Sequence, residues 1–214
     1  MEPTDLVPVL DGVRRWSVWN EPRKLWFNGH KLRIGEVSVV IDPVPMTEAV
    51  IAGLSARPPA LCIVTNRDHQ RAAAQVRDRF GARVLVPRGD AAQLELAYDD
   101  TVDDGDVIAG ELRVIGVTGA KTPGEVALHW PARGLLVVGD AAIGRPAGAL
   151  SLLPADKLPD VTAARAGVSR LADLGVEVVL VGDGDDVLAD GAAALAALAP
   201  GPARAPAGGG APGC

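Results

Sequence analysis

The stretch Leu61-Cys62-Ile63-Val64-Thr65-Asn66-Arg67-Asp68-His69 runs a short apolar strand directly into a polar turn that carries an aspartate and a histidine. Two later stretches repeat this arrangement, residues 135–140 (LLVVGD) and residues 178–184 (VVLVGDG). Apolar runs of this length are typical of buried strands. Carboxylates at the strand ends of a layered α/β fold converge on one edge of its sheets. Each aspartate taken alone is more typical of a helix cap or a turn, but the three together predict a site.

The segments around these stretches alternate between strand and helix patterns. Apolar or alternating runs predict strands at 6–10, 14–19, 24–27, 37–41, 60–64, 83–86 and 176–181, and hairpins over 107–117 and 126–138. Helical spacing of apolar residues predicts helices over 47–54, 69–80, 161–174 and 187–198. Asn28-Gly29 has the composition of a turn, which would leave His30 at a cap or facing solvent. Strand-rich stretches that each lead into a helix predict two packed sheets with helices outside.

Length and composition fit one globular domain. The chain has 214 residues, of which 48% are apolar, and we expect a single domain over residues 1–198. Residues 199–214 consist almost entirely of Pro, Gly and Ala, cannot supply a core, and are predicted to be a disordered tail. No apolar run is long enough for a membrane helix, and the polar start of the chain does not resemble a signal peptide. We therefore expect a cytoplasmic protein.

The charged and metal-binding residues exclude several classes of function. The net charge is −6 and there is no run of Lys or Arg, so we expect neither a nucleic acid nor a membrane as a partner. The expected partner is a small-molecule ligand or substrate, and the sequence does not determine the oligomeric state. Two cysteines, Cys62 and Cys214, do not form a disulfide framework. Only three histidines occur, which excludes any site that needs four or five imidazoles.

The order of motifs along the chain resembles the metallo-β-lactamase superfamily. The matching stretches, in order over about residues 6–198, are Val40-Ile41-Asp42-Pro43, Val64-Thr65-Asn66-Arg67-Asp68-His69, Gly119-Ala120-Lys121-Thr122-Pro123-Gly124, Val138-Gly139-Asp140-Ala141 and Val181-Gly182-Asp183-Gly184. This resemblance implies an α/β fold of four layers, an αββα sandwich. It also implies that Asp42 supports the site from behind. In the family, histidines in these motifs hold one or two metal ions, usually zinc, and an activated water attacks an ester, amide or phosphoester.

The family's histidine pattern is degenerate in this chain. Lys121 stands where the third motif of the family has a histidine, and Asp183 stands where the last motif has one. If Asp68-His69 aligns with the family's Asp-His pair, then Asp68, His69, Asp140 and Asp183 could hold one ion of zinc, manganese or iron. If Asn66 and Asp68 align with the first two histidines instead, His69 points elsewhere and this set falls apart. The sequence leaves both alignments open.

Two hypotheses about function follow. In the first, the di-zinc hydrolytic site is lost, no metal is bound, and the ammonium of Lys121 holds the carboxylates together in a non-hydrolytic or binding protein. In the second, one divalent ion is bound and its water hydrolyses a small ester, thioester or lactone, with an aspartate as base. Asp68 and Lys121 are the candidate catalytic residues. Glu125 is a further candidate for the lining of the site, whereas Arg145 is expected to be a solvated loop residue.

Overall fold

The structure is a computed structural model and describes residues 3–199. Its strands form a seven-stranded sheet in the order β1 to β7 and a five-stranded sheet in the order β12-β11-β10-β9-β8. The first sheet contains β1 (Val7–Leu10), β2 (Val13–Asn20), β3 (Leu25–Ile34), β4 (Val37–Ile41), β5 (Leu61–Ile63), β6 (Arg83–Pro87) and β7 (Asp100–Val102). The second contains β8 (Val107–Ile108), β9 (Leu112–Gly116), β10 (Val126–Trp130), β11 (Leu135–Val138) and β12 (Val178–Val181). The α-helices are α1 (Glu48–Ser55), α2 (Ala73–Phe80), α3 (Val161–Ala172) and α4 (Gly191–Ala196).

Strand direction determines which chain segments meet at one edge. In the first sheet β1 to β4 are antiparallel neighbours, whereas β4, β5, β6 and β7 run parallel. In the second sheet β11 and β12 are parallel, and the remaining neighbours are antiparallel. Parallel strands end at the same edge of a sheet, so the segments that follow β4 and β5, and those that follow β11 and β12, emerge side by side.

Three apolar clusters hold the layers together. The first lies between the sheets and includes Leu32, Ile41, Leu128 and Leu180. The second joins the second sheet to α3 and α4, and the third joins the first sheet to α1 and α2. Each sheet is thus covered by the other sheet on one face and by helices on the opposite face. The predicted four-layer αββα sandwich is confirmed.

Asn28-Gly29 is not a turn, and the prediction made from it was wrong. Both residues lie in the middle of the ten-residue strand β3, where Gly29 is paired with Trp16 of β2. A Cβ at Gly29 would lie 2.7 Å from Cζ2 of Trp16, so the glycine makes room for the buried indole and does not reverse the chain. His30 is therefore inside the protein, fully buried, instead of at a cap or in solvent.

Other boundaries differ by a few residues from those predicted. Residues 67–69 form a short 3₁₀ turn, and α2 begins only at Ala73. The last helix is shorter than expected and β7 was not predicted, because a three-residue strand carries too little pattern to recognise. The predicted domain over 1–198 stays a prediction, and the predicted tail over 199–214 lies outside the described residues except for residue 199. No helix within residues 3–199 has the length and hydropathy needed to cross a membrane.

A partly buried ion pair fixes the segment that follows β12 against β2 and β3. Asp186 accepts hydrogen bonds from Arg15 Nη1 at 2.8 Å and from the Val181 N–H at 3.0 Å, and its Oδ1 lies 3.2 Å from His30 Nε2. Burial raises the pKa of the Asp186 carboxyl. His30, Arg15 and the Val181 N–H lower it by more than burial raises it, so the pKa lies below its ordinary 3.8.

The Asp186→Asn substitution should destabilise the protein in a pH-dependent way. It keeps the side-chain volume but removes the charge that faces Arg15, and we expect a loss of about 3 kcal/mol at pH 7. Because the pKa of Asp186 is lower in the folded chain than in the unfolded chain, the stabilisation is complete above about pH 4 and is lost as the pH falls through the folded-state pKa. Urea unfolding between pH 2 and 7 should show the wild type converging on the variant in acid.

The adjacent exposed aspartate supplies the control for this measurement. The Asp185→Asn substitution makes the same chemical change on an exposed residue and should alter the unfolding free energy by less than about 0.5 kcal/mol. Equal losses in the two variants would contradict the assignment of the stabilisation to the Asp186 ion pair.

Candidate functional site

The polar residues that follow four strand ends form one buried cluster between the sheets. Asp42 follows β4, residues 65–69 follow β5, Asp140 follows β11 and Asp183 follows β12. Asp42, His69, Asp140 and Asp183 each have at most 4% of their surface exposed. His69, Asp140 and Asp183 offer ligand atoms that lie within 4.8 Å of one another.

Asp42 holds the imidazole of His69 from behind, which is the supporting position implied by the family resemblance. Its Oδ2 accepts a hydrogen bond from the Thr65 hydroxyl at 2.6 Å and lies 2.8 Å from His69 Nδ1. Its Oδ1 accepts the Thr65 N–H at 2.8 Å. A Cβ at Gly182 would lie 2.5 Å from Cε1 of His69, so the glycine leaves room for the ring. These contacts fix the ring with Nε2 directed toward the two other aspartates.

Arg71 is the main feature of the site that sequence reasoning missed. Its Nη2 lies 2.5 Å from Asp183 Oδ1 and 3.0 Å from His69 Nε2, and its Nη1 donates to the Gly182 carbonyl at 3.3 Å. The guanidinium carbon also lies 4.4 Å from the centroid of the Phe27 ring, a cation–π contact. Arg71 has a backbone φ of 25°, which residues other than glycine rarely adopt. Neither this backbone conformation nor the contact of the side chain with Asp183 can be predicted from the sequence pattern.

Lys121 connects Asp68 and Asp140. Its Nζ lies 2.6 Å from Asp68 Oδ2 and 2.9 Å from Asp140 Oδ2. Burial lowers the pKa of Lys121, but the hydrogen bonds and charges of Asp68 and Asp140 raise it above its ordinary value, so the side chain is an ammonium. The sequence hypothesis placed Lys121 among Asp68, Asp140 and Asp183. The structure brings it to the first two, while Asp183 pairs with Arg71.

Asp68 lies outside the group of candidate metal ligands formed by His69, Asp140 and Asp183. Its side chain is 42% exposed, and its Oδ2 contacts Lys121 Nζ at the exposed side of the cluster. The arrangement matches neither proposed alignment in full, because His69 points into the site while the neighbouring Asp68 points away from it. Successive residues of the 3₁₀ turn over Arg67–His69 project in different directions, which explains why the pair separates.

The charges around His69 favour its protonated form. Burial and the Arg71 guanidinium lower the pKa of His69, whereas Asp42 and Asp140 raise it, and the balance is a pKa of about 10. The ring donates from Nδ1 to Asp42, and its Nε2 lies 3.0 Å from Arg71 Nη2 and 3.5 Å from Asp140 Oδ1. Burial raises the pKa of Asp140, but His69 and Lys121 hold it well below its ordinary value. Asp140 is therefore an anion between two cations.

Glu125 lies behind Asp140, and its surroundings favour the neutral carboxyl. Burial, followed by the charge of Asp140, raises its pKa well above the ordinary 4.5. Its Oε1 accepts the Ala141 N–H at 3.2 Å. Three buried atoms near this point, Glu125 Oε2, Asn66 Nδ2 and Thr122 Oγ1, lack hydrogen-bond partners among residues 3–199. Glu125 is thus an inner wall of the site, as the sequence suggested.

A comparison with protein families places these features in context. The family model described as the metallo-beta-lactamase superfamily matches residues 10–201, which is most of the chain. The chain belongs to the metallo-β-lactamase superfamily. No curated protein matches it.

Solved metallo-β-lactamases share its fold at low sequence identity. The enzyme from Pontibacter korlensis is 18% identical with a TM-score of 0.71, covering 91% of this chain and 97% of its own. A mono-zinc form of FIM-1 from Pseudomonas aeruginosa is 16% identical, has a TM-score of 0.72 and covers 91% and 95%. The protein from Hirschia baltica is 14% identical, has a TM-score of 0.70 and covers 92% and 98%. These likenesses concern the fold alone. Members of the family usually bind zinc.

In this metallo-β-lactamase-fold chain, removal of Asp140 should cost far more than removal of Asp68. The Asp140→Asn substitution leaves Lys121 and His69 facing each other without the anion between them, and we expect a loss of about 3 kcal/mol of unfolding free energy. The matched Asp68→Asn substitution removes an exposed partner of the same lysine and should cost less than about 1 kcal/mol. Denaturant unfolding at pH 7 measures both. Small and equal losses would show that the cluster does not depend on the charge of Asp140.

Proposed function

We propose that this protein is a non-hydrolytic, ligand-binding member of the metallo-β-lactamase superfamily in which Lys121 and Arg71 take the place of metal ions. The observation that carries the proposal is the position of these two cations. Arg71 contacts Asp183 and His69, and Lys121 contacts Asp140, so every residue of the candidate metal-ligand group is already in contact with a fixed side-chain cation.

The donor chemistry of the cluster supports the same proposal. Metal binding requires a neutral imidazole with a free nitrogen. Asp42 lies on Nδ1 of His69, which leaves Nε2 for a metal, but Arg71 Nη2 already lies 3.0 Å from Nε2. An ion among His69, Asp140 and Asp183 would also meet the guanidinium of Arg71, which lies 2.5 Å from a carboxylate oxygen that the ion needs. Like charges at such a separation repel strongly in a buried site. The two zinc ions usual in the family therefore fit these residues poorly.

The second candidate function is a single-metal hydrolase. The specific observation in its favour is that His69, Asp140 and Asp183 offer three ligand atoms within 4.8 Å of one another. FIM-1, one of the structurally similar proteins, is described in a mono-zinc form. If Arg71 moved aside, this set could hold one zinc, manganese or iron ion, which would activate water for attack on a small ester, thioester or lactone. In that case Asp42 would orient His69, and Lys121 would hold Asp140 in place.

Metal content distinguishes the two functions. We expect untagged protein, dialysed briefly without chelator, to contain less than about 0.1 metal per chain, and EDTA to leave its melting temperature unchanged. We expect the Arg71→Ala substitution to free His69, Asp140 and Asp183, so that the variant takes up one Zn²⁺ or Mn²⁺. The Arg79→Ala substitution removes an exposed arginine from α2 and should leave metal uptake at the wild-type level. Elemental analysis and calorimetric titration measure these quantities.

Each outcome decides between the two functions. About one metal per wild-type chain would contradict the replacement of metal by Lys121 and Arg71, and would make a screen of esters and thioesters the next step. An empty wild-type site together with metal uptake by Arg71→Ala would support the replacement. The Lys121→His substitution gives a second readout, because regained zinc affinity there would show that the cavity still accommodates a metal beside Asp140.

A further inference from the structure

A second concave site lies at the end of the first sheet opposite to the His69 cluster. It is a groove of about 750 Å³ between the end of α1 and the strands β1, β2 and β3. Strand β4 spans the two regions, since its first residues, Val37 and Ser38, pair with the end of β3 and its last residue precedes Asp42. A volume of this size falls within the range of small-molecule sites.

Positive charge is concentrated in this groove although the whole chain is acidic. Its walls carry Arg14, Lys31, Arg33 and Arg57 against a single acidic residue, Asp11, while the chain has a net charge of −6. Arg14 of β2 is the direct cross-strand partner of Lys31 of β3. Like charges in directly opposed positions destabilise a sheet. This pair therefore needs a source of negative charge that the strands themselves do not supply.

Lys31 is the strongest indication of a missing anion. Only 8% of the residue is exposed, and its Nζ donates to the Arg57 carbonyl at 2.8 Å. Within residues 3–199 no carboxylate lies within 4.0 Å of this ammonium, which is unusual because buried lysines are normally paired. Burial, then the charges of Arg14 and Arg57, lowers the pKa of Lys31. Its surroundings therefore disfavour the cation as long as no anion is bound.

The acidic residues near the groove do not neutralise it. Asp11 lies 4.0 Å from Arg33 and 3.8 Å from Arg133, and its side chain is 82% exposed. Glu36 lies 3.1 Å from Arg57 and is 92% exposed. Ion pairs this exposed contribute little and are readily exchanged. Among the described residues neither Arg14 nor Lys31 has a carboxylate partner, so two of the four cations are available to a ligand.

We propose that this groove binds a small anion that carries at least two negative charges on phosphate or carboxylate groups. The guanidinium forks of Arg14 and Arg57 match the geometry of such oxygens, and Lys31 supplies a buried point charge between them in the lining. The groove is separate from the His69 cluster and shares none of its residues. The inference therefore holds whether or not the protein binds a metal.

Titration calorimetry with free anions tests this proposal. Pyrophosphate and citrate are the probes, and chloride at matched ionic strength is the reference for general screening. The wild type should bind one equivalent of at least one probe, and the affinity should fall about tenfold or more in Arg14→Gln and in Lys31→Met, because each removes a charge-assisted contact. Arg79→Gln removes one exposed positive charge on α2, away from the groove, and should stay within about twofold of the wild type.

The ligand-free variants give an independent readout. Because Lys31 is a buried charge without an acidic partner, Lys31→Met should melt no lower than the wild type in the absence of probe, and it should lose the increase in melting temperature that the probe gives. A similar loss of affinity in Arg79→Gln would overturn the proposal in favour of general charge attraction. Absence of binding by both probes at about 10 mM would also overturn it.

Vesicles separate a free anion from a lipid headgroup. Cosedimentation with phosphatidylcholine vesicles that contain phosphatidylserine is measured beside the titrations. Binding to these vesicles without binding to pyrophosphate or citrate would overturn the small-molecule proposal and identify a membrane surface as the source of the anion. Binding to free probes alone supports the proposal.

Discussion

The site depends on the neutralisation of buried carboxylates where the two sheets meet. Asp42, Asp140 and Asp183 follow parallel strands of different sheets, and each is at least 96% buried. A buried carboxylate is costly unless a cation or several hydrogen-bond donors face it. His69, Arg71 and Lys121 provide the cations, and the Thr65 N–H and hydroxyl provide donors to Asp42. Each of the three buried carboxylates therefore has the cation or the hydrogen-bond donors that it needs.

Neutralisation by side chains differs physically from neutralisation by a metal ion. A metal brings charge from outside the chain and is lost on dilution or chelation, whereas Arg71 and Lys121 are always present. An ion that enters must displace Arg71 from both Asp183 and His69, and it must compensate for both interactions. Breaking one buried pair costs about 3–5 kcal/mol, which corresponds to a loss in metal affinity of more than a hundredfold. The family fold is retained while its carboxylates are satisfied internally.

The fold and part of the site could be predicted from the sequence. Buried strands with Asp at their ends are a local pattern, so Asp140, Asp183 and the order of elements were predictable. Lys121 was predictable from its place in a motif. Arg71 was not, because its role depends on a backbone φ of 25° and on a contact with the segment after β12 that no sequence spacing predicts.

The position of His30 was predicted wrongly because Asn28-Gly29 has the composition of a turn. In the structure the glycine is needed because the Trp16 ring of the neighbouring strand occupies the space that a side chain would fill. The basic groove is invisible in sequence, since its cations are distant along the chain and meet only through strand register.

The two ends of the first sheet thus present opposite electrostatic situations to a ligand. At the His69 end, every buried charge already has an internal partner, so an incoming anion or cation must break an existing pair before it gains a new one. At the groove end, the cross-strand pair Arg14 and Lys31 has no carboxylate partner among the described residues, so an anion gains both contacts without displacing a carboxylate. Affinity is the difference between contacts made and contacts broken. By that measure, this metallo-β-lactamase-fold chain has its stronger driving force for anion binding in the groove and not at the His69 cluster.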